Sequence, residues 1–266
     1  MRFRPFCLSL LLLFAAQAAY AGAWTQPKGD GLFIAQATYF TSDAFFDENA
    51  IKVAQPRFSK YELQPYAEYG LRDWLTIGGS AYLQSIHQAG NSNIGIGDPE
   101  LFARLRLWQG MKDVFAIQPL VKLPSLYAHS GTPRGGSRST DAELSLLYGR
   151  NMHILSERDY VDLRVGYRVR GKGLNPQWRV DAALGIHLSE SWQVIPAFRG
   201  VTAVDYNEYA VFSENAEQDY DLAKAEVTIA YSLDENRWLQ ATAFDHVAGA
   251  LTGAGRGFSV GFAQRF

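Results

Sequence analysis

The chain has 266 residues, with 25 Lys and Arg against 27 Asp and Glu, so it lacks the basic surplus that binding to a nucleic-acid backbone requires. Its only cysteine, Cys7, stands close to the start, which excludes disulfides and thiolate metal sites from everything downstream. Apolar residues nevertheless make up 47% of the chain and aromatic residues 14%, so a large apolar area has to be placed somewhere.

The first element is an export signal. Met1-Arg2-Phe3-Arg4 carries positive charge ahead of an apolar run from Leu8 to Ala16, and Ala19-Tyr20-Ala21 supplies the small-residue cleavage site. The run is shorter than the roughly 20 residues a spanning helix needs. The expected organisation is therefore a signal peptide over 1–21 and one mature domain over 22–266. Losing Arg2 and Arg4 leaves 23 basic against 27 acidic residues, a net charge of −4.

After the signal no stretch reaches helix-spanning length, and the apolar residues recur with period two. Leu32 to Phe40 opens the series. In Lys60 to Tyr69 the residues Tyr61, Leu63, Pro65, Ala67 and Tyr69 share one face, opposite Lys60, Glu62, Gln64, Tyr66 and Glu68. A turn at Gly70 to Asp73 joins this segment to Leu75 to Gln84 as a hairpin. The pattern repeats in Glu100 to Trp108 and Val114 to Leu123, in Asp141 to Gly149, and most clearly in Tyr160 to Arg170, where Val161, Leu163, Val165, Tyr167 and Val169 alternate with polar residues. Trp178 to Leu188, Trp192 to Val201, Lys224 to Tyr231, Trp238 to Asp245 and Phe258 to Phe266 complete about twelve strands. Short turns alternate with long polar connections at Thr41 to Pro56, Ser85 to Gly97, Ser125 to Ser139, Gly171 to Pro176, Thr202 to Tyr220 and Val247 to Arg256. The expected fold is all-β, a transmembrane antiparallel up-and-down barrel with short turns in the periplasm and long loops outside.

Alternation alone does not say which face is outside, because a soluble barrel reads identically along one strand. The export signal, the alternating connection lengths and the aromatics at strand ends point to lipid: Tyr69, Trp74, Trp108, Tyr148, Trp178, Trp192, Tyr231, Trp238 and Phe266 are spaced like interface girdles. The expected location is the bacterial outer membrane, with its lipid as the first partner. The opposite face, carrying charges of both signs, then lines a lumen.

The last strand, with Phe258, Val260, Phe262 and the terminal Phe266 on one face, resembles the C-terminal strand that outer-membrane barrels offer to the barrel-insertion machinery, which is therefore an implied partner; Gln264 departs from the apolar pattern. Gly22 to Gly29, the hairpin Glu68 to Thr76, Gly97 to Arg106, and Gln118 to Pro124 resemble the MetA-pathway of phenol degradation family of barrels. That resemblance implies passage or handling of hydrophobic aromatic compounds. The start is also similar to XagA-type proteins, which would imply surface polymer or biofilm work.

Glu62, Arg104, Lys122, Glu143, Asp162, Arg164 and Arg168 are the candidate lumen-lining residues, in a selectivity role if the lumen is open. Mixed signs favour mutual pairing over an open charged ring, since an unpaired charge in a confined lumen is costly. A catalytic set is not expected. His129-Ser130 lies in a long loop, and Asp245-His246, adjacent on a strand, would point to opposite faces. No metal spacing is present, and Gly249 to Gly255 lacks the ending of a phosphate loop, so no cofactor is expected. The reading is a passive outer-membrane channel for small, hydrophobic or aromatic solutes; the alternative is a closed barrel acting as a surface or assembly component.

Overall fold

The computed structural model describes residues 22–126, 133, 139–205 and 219–266; the signal segment and His129-Ser130 lie outside them. Fourteen strands form one antiparallel sheet: β1 Gly31–Phe46, β2 Lys52–Arg72, β3 Leu75–Ser80, β4 Leu83–Gln88, β5 Asn91–Ile96, β6 Glu100–Gln109, β7 Asp113–Lys122, β8 Asp141–Met152, β9 Asp159–Val169, β10 Gln177–His187, β11 Trp192–Ala203, β12 Asp221–Ser232, β13 Arg237–Ala250 and β14 Thr252–Arg265. The sheet closes because β1 pairs with β2 on one edge and with β14 on the other, from Leu32 opposite Arg265 to Phe46 opposite Thr252.

Two of the staves are broken. β3 and β4 both pair with β2, meeting around Ala81-Tyr82, and β5 and β6 pair with β4 and β3 on either side of Gly97-Asp98-Pro99. Prolines lie at the break: Pro65 on β2 and Pro99 have no N–H to give to a ladder, and each serves only as acceptor, from Ala81 at 3.1 Å and from Leu123 at 2.8 Å. Counting each broken pair as one stave gives a closed barrel of twelve.

Three connections read from the sequence as long loops are mostly paired strand. β1 and β2 continue to a turn at 47–51, where Asp47 Oδ1 accepts from the amides of Asn49 and Ile51. β4 and β5 fill 83–96 around Ala89-Gly90, whose φ angles of 50° and 80° make the tight turn that suits twisted hairpins. β13 and β14 are separated by Leu251 alone. Beyond the membrane neither face needs to be apolar, so the ladder runs on after the alternation fades.

Strand faces differ sharply where the alternation is strong. Along β8, Leu144 and Leu146 are 55% and 63% exposed, while Ser145 between them is fully buried. Outside, aromatics group at the two ends of the apolar belt: Trp108, Phe115 and Tyr148 with Trp192 and Tyr231 at the turn end, and Tyr39, Tyr61 and Phe258 with Tyr167 and Trp178 at the other. Rings with one polar edge favour that depth. Trp238 corrects the sequence reading: its register opposite Ala263 turns it inward, packed with Leu32, Ala230 and Ala263 under the Arg265 guanidinium. One residue of register moves a side chain to the other face.

The turn before β13 is pinned by Asp234, whose carboxylate accepts from the Arg237 guanidinium at 2.7 Å and from two turn amides; this pairing holds it below the usual carboxylate range.

Leu146 sits among outward Ile117 and Val165 in mid-strand. Replacing it with arginine should cost about 2–4 kcal/mol of folding free energy in a bilayer, as charge at the lipid midplane does. Urea titrations of folding into phospholipid vesicles would measure it, with an unchanged midpoint contradicting the outward assignment.

Candidate functional site

The lumen is built from three layers of inward side chains, and the lowest of these contains the chain's own start. Residues 22–30 form no strand but bond to the inner wall. The Ala23 amide donates to Asp162 Oδ2 at 2.8 Å, the Trp24 carbonyl accepts from Arg104 Nη1 at 2.8 Å, and the Gln26 amide donates to Thr76 Oγ1 at 2.7 Å. Gly29 and Asp30 then pair with Gly70 through backbone bonds of 2.9 Å each.

Glycines make room for this segment. A Cβ on Gly70 would lie 2.0 Å from the Pro27 carbonyl oxygen, and one on Gly149 would lie 2.5 Å from the Trp24 ring. The indole also meets Tyr160 edge-on at 5.8 Å.

Around the segment the polar groups are dry. Arg104 and Glu68 pair at 3.1 Å with both side chains 1% exposed. Gln118 accepts from Arg104, while Tyr66 and the Gln26 side chain donate to Glu68. These bonds offset much of the cost of burying the pair, although Arg104 Nη2 is buried without a hydrogen-bond partner among the described residues.

Higher in the barrel the charges form one connected chain. Glu100 accepts from Arg168 at 2.8 Å, Arg168 reaches Glu143 at 2.7 Å, and Glu143 also takes Arg164 and, at 3.6 Å, Arg179. Asp181 links Arg164 to Arg199 at 3.6 and 3.5 Å, and Glu226 joins Arg199 to Lys224 at 2.7 and 2.9 Å. Here the side chains of Arg164, Arg179, Arg199, Lys224 and Asp181 keep 21–32% of their surface accessible. The lumen is therefore wet at this level and dry below it.

Towards the far mouth, inward Phe40 packs against Phe58, Phe244 and His246, with the Lys224 ammonium 5.1 Å from the Phe244 ring. Lys122 joins Asp141 at 2.7 Å and Asp98 at 3.4 Å, and Lys60 joins Glu62 at 2.9 Å.

The seven residues singled out from sequence thus fall into separate groups. Glu143, Arg164 and Arg168 share the ion-pair chain; Arg104 belongs to the dry layer; Lys122 and Glu62 have their own partners; Asp162 faces the N-terminal segment. Mixed charge is indeed spent on mutual pairing. What the sequence did not signal is the inward course of 22–30, which carries no period to read.

Catalytic candidates stay unassembled among the described residues. Asp245 faces outward beside Arg256 while His246 points in and bonds the Gly253 carbonyl. On the outer face Ser85 and His87 stand 3.1 Å apart, yet the surface around them offers Tyr61 and Ile94 rather than an acid. No group of metal-ligating side chains occurs among the described residues.

No family model matches the sequence, and no curated protein sequence matches it. Solved structures do. The COG4313 outer membrane channel from Pseudomonas putida F1 superposes with a TM-score of 0.76 at 14% identity, over 94% of this chain and 100% of that one. This chain has the fold of an outer-membrane β-barrel. The translocator domain of autotransporter NalP from Neisseria meningitidis gives 0.54 at 12% identity, covering 91% and 90% of the two chains. A TodX mutant, named as a monoaromatic hydrocarbon channel, gives 0.53 at 8% identity, covering 91% of each. With its apolar belt and aromatic girdles, the barrel belongs in the outer membrane.

Arg104→Met should destabilise the barrel by about 3–5 kcal/mol, because Glu68 stays buried without its counter-charge. Adding Glu68→Gln should recover a large part of the loss, and a double-mutant cycle of urea unfolding in vesicles would show the coupling. Additive losses would mean the pair is not buried as described.

Proposed function

We propose that this protein is a narrow outer-membrane channel for small molecules, with the N-terminal segment as the constriction. The observation that carries the reading is the contrast along the lumen: a solvated charged passage in the middle and upper barrel, ending on a dry layer filled by Trp24 and its neighbours. A closed structural barrel would have no use for a wet upper half. Pore linings set selectivity through the charges and donors they present, so Glu62, Lys122, Glu143, Arg164 and Arg168 are the residues we assign to that role in the passage, with Arg104 and Asp162 at the constriction.

The solute class we favour is small aromatic molecules. Phe40, Phe58, Phe244 and His246 present an inward aromatic surface at the mouth, with Lys224 beside it to attract an anionic substituent. The resemblance to phenol-degradation barrels and the likeness to the TodX monoaromatic hydrocarbon channel agree with that choice. Phe266, outward and exposed at the end of the chain, is the residue we assign to recognition by the insertion machinery.

In planar bilayers the purified protein should show a small conductance, and deleting residues 22–29 should raise it several-fold. Liposomes carrying the protein should admit benzoate faster than an uncharged sugar of larger size, and Phe40→Ala with Phe244→Ala should narrow that difference. No conductance and no flux in either form would transfer the assignment to a closed surface or assembly component. Shortening the hairpin over 41–56 should in that case abolish a polymer or adhesion phenotype.

A further inference from the structure

Asp162 is the inward carboxylate whose charge the wall leaves unanswered. Among the described residues no arginine or lysine comes within ion-pair distance of it. Arg104 is held by Glu68, and Arg199 by Glu226 and Asp181. Among the described residues, the Ala23 amide donates to it at 2.8 Å. Gly22 lies directly against it: a Cβ at Gly22 would stand 2.1 Å from Asp162 Oδ2 and 2.9 Å from Cγ, so a side chain there would push the carboxylate aside. The backbone nitrogen of Gly22 is one bond from that α-carbon.

We infer that hydrolysis of the Ala21–Gly22 bond supplies the missing counter-charge, and that Asp162 is the receptor for the new N-terminus. Water provides the hydroxyl that ends Ala21 as a carboxylate and the proton that, with one more from solvent, makes Gly22 an α-ammonium. While the leader is attached, the Gly22 nitrogen is a neutral amide and Asp162 has no cationic partner. Once the leader is gone, an ammonium faces the half-buried carboxylate, and charge-assisted hydrogen bonds are stronger than neutral ones. Leader removal then adds a charged contact to a segment that already lies against the wall through Ala23, Trp24 and Gln26. This rests on the lumenal constriction described above, but not on what passes through it.

The test uses protein extracted from outer membranes and a membrane-impermeant acylating reagent, with mass spectrometry of the tryptic peptide 22–28 as readout. Intact mass should give Gly22 as the first residue. Only the unprotonated amine is acylated, so the ion pair should slow modification of the Gly22 nitrogen. Asp162→Asn should speed it by about tenfold or more, the factor one charged hydrogen bond contributes to an equilibrium constant. A variant with two residues inserted after Ala21, which carries the ammonium about 7 Å away, should behave in the same way while keeping Asp162. It covers the case in which Asp162→Asn fails to fold, as judged by gel mobility with and without heating. A mature chain beginning elsewhere, or equal acylation rates in wild type and folded variants, would overturn the inference. Altered acylation without any measurable conductance would sink the channel reading and leave this one standing.

Discussion

Hydrocarbon offers a peptide group nothing to bond with, and the pairing of β1 with β14 is the contact that meets this constraint. Were that seam open, two long strands would present unpaired amides and carbonyls to lipid. Once it is closed, every stave has one face in lipid and one in an enclosed space, and the period-two pattern of the sequence becomes a partition between two solvents. The charged residues are inside because no alternative face exists for them. Their concentration then forces them to pair, which explains why Glu143 gathers three arginines while Asp181 and Glu226 each bridge two basic residues.

The lumen solves this confinement in two ways. In the middle and upper barrel Arg164, Arg179, Arg199, Lys224 and Asp181 stay partly accessible to water while they pair around the buried carboxylates of Glu143 and Glu226. In the lower barrel residues 22–26 fill the space, and the wall bonds to them directly: Arg104 to Glu68, Gln118 and the Trp24 carbonyl, Thr76 to the Gln26 amide. The segment is thus a structural part of the wall's interior. Gly70 and Gly149 are cut to its shape, which ties the sequence of the strands to that of a stretch with no regular structure.

The architecture was readable because lipid contact imposes a strict rule on alternate residues. Where Leu144, Leu146, Leu163 and Val165 must face out, β9 was placed to within a residue at each end and β8 at its start, its end falling three residues beyond the reading. Where that rule lapses, reading fails. The hairpins at 41–56, 85–97 and 247–256 rise beyond the apolar belt, so their strands carry no alternation and look like loops. Trp238 was misplaced because aromatic residues at a strand end suit either the girdle or a packed inner layer, and only the register opposite Ala263 decides. Parity groups the charged residues on one strand face, but their division into a dry layer and a wet chain depends on strand stagger and on the course of 22–30. Neither leaves a period in the sequence.

Accessibility along neighbouring staves tests the central partition most directly, and the absence of cysteine after Cys7 makes the experiment clean. Single cysteines at 179, 181 and 199 face the wet lumen, and those at 178, 180 and 198 face lipid. In intact cells a charged, membrane-impermeant thiol reagent should modify the first three and spare the second three. Modification of the second set in preference to the first, or of both sets equally, would contradict the partition and the channel built on it.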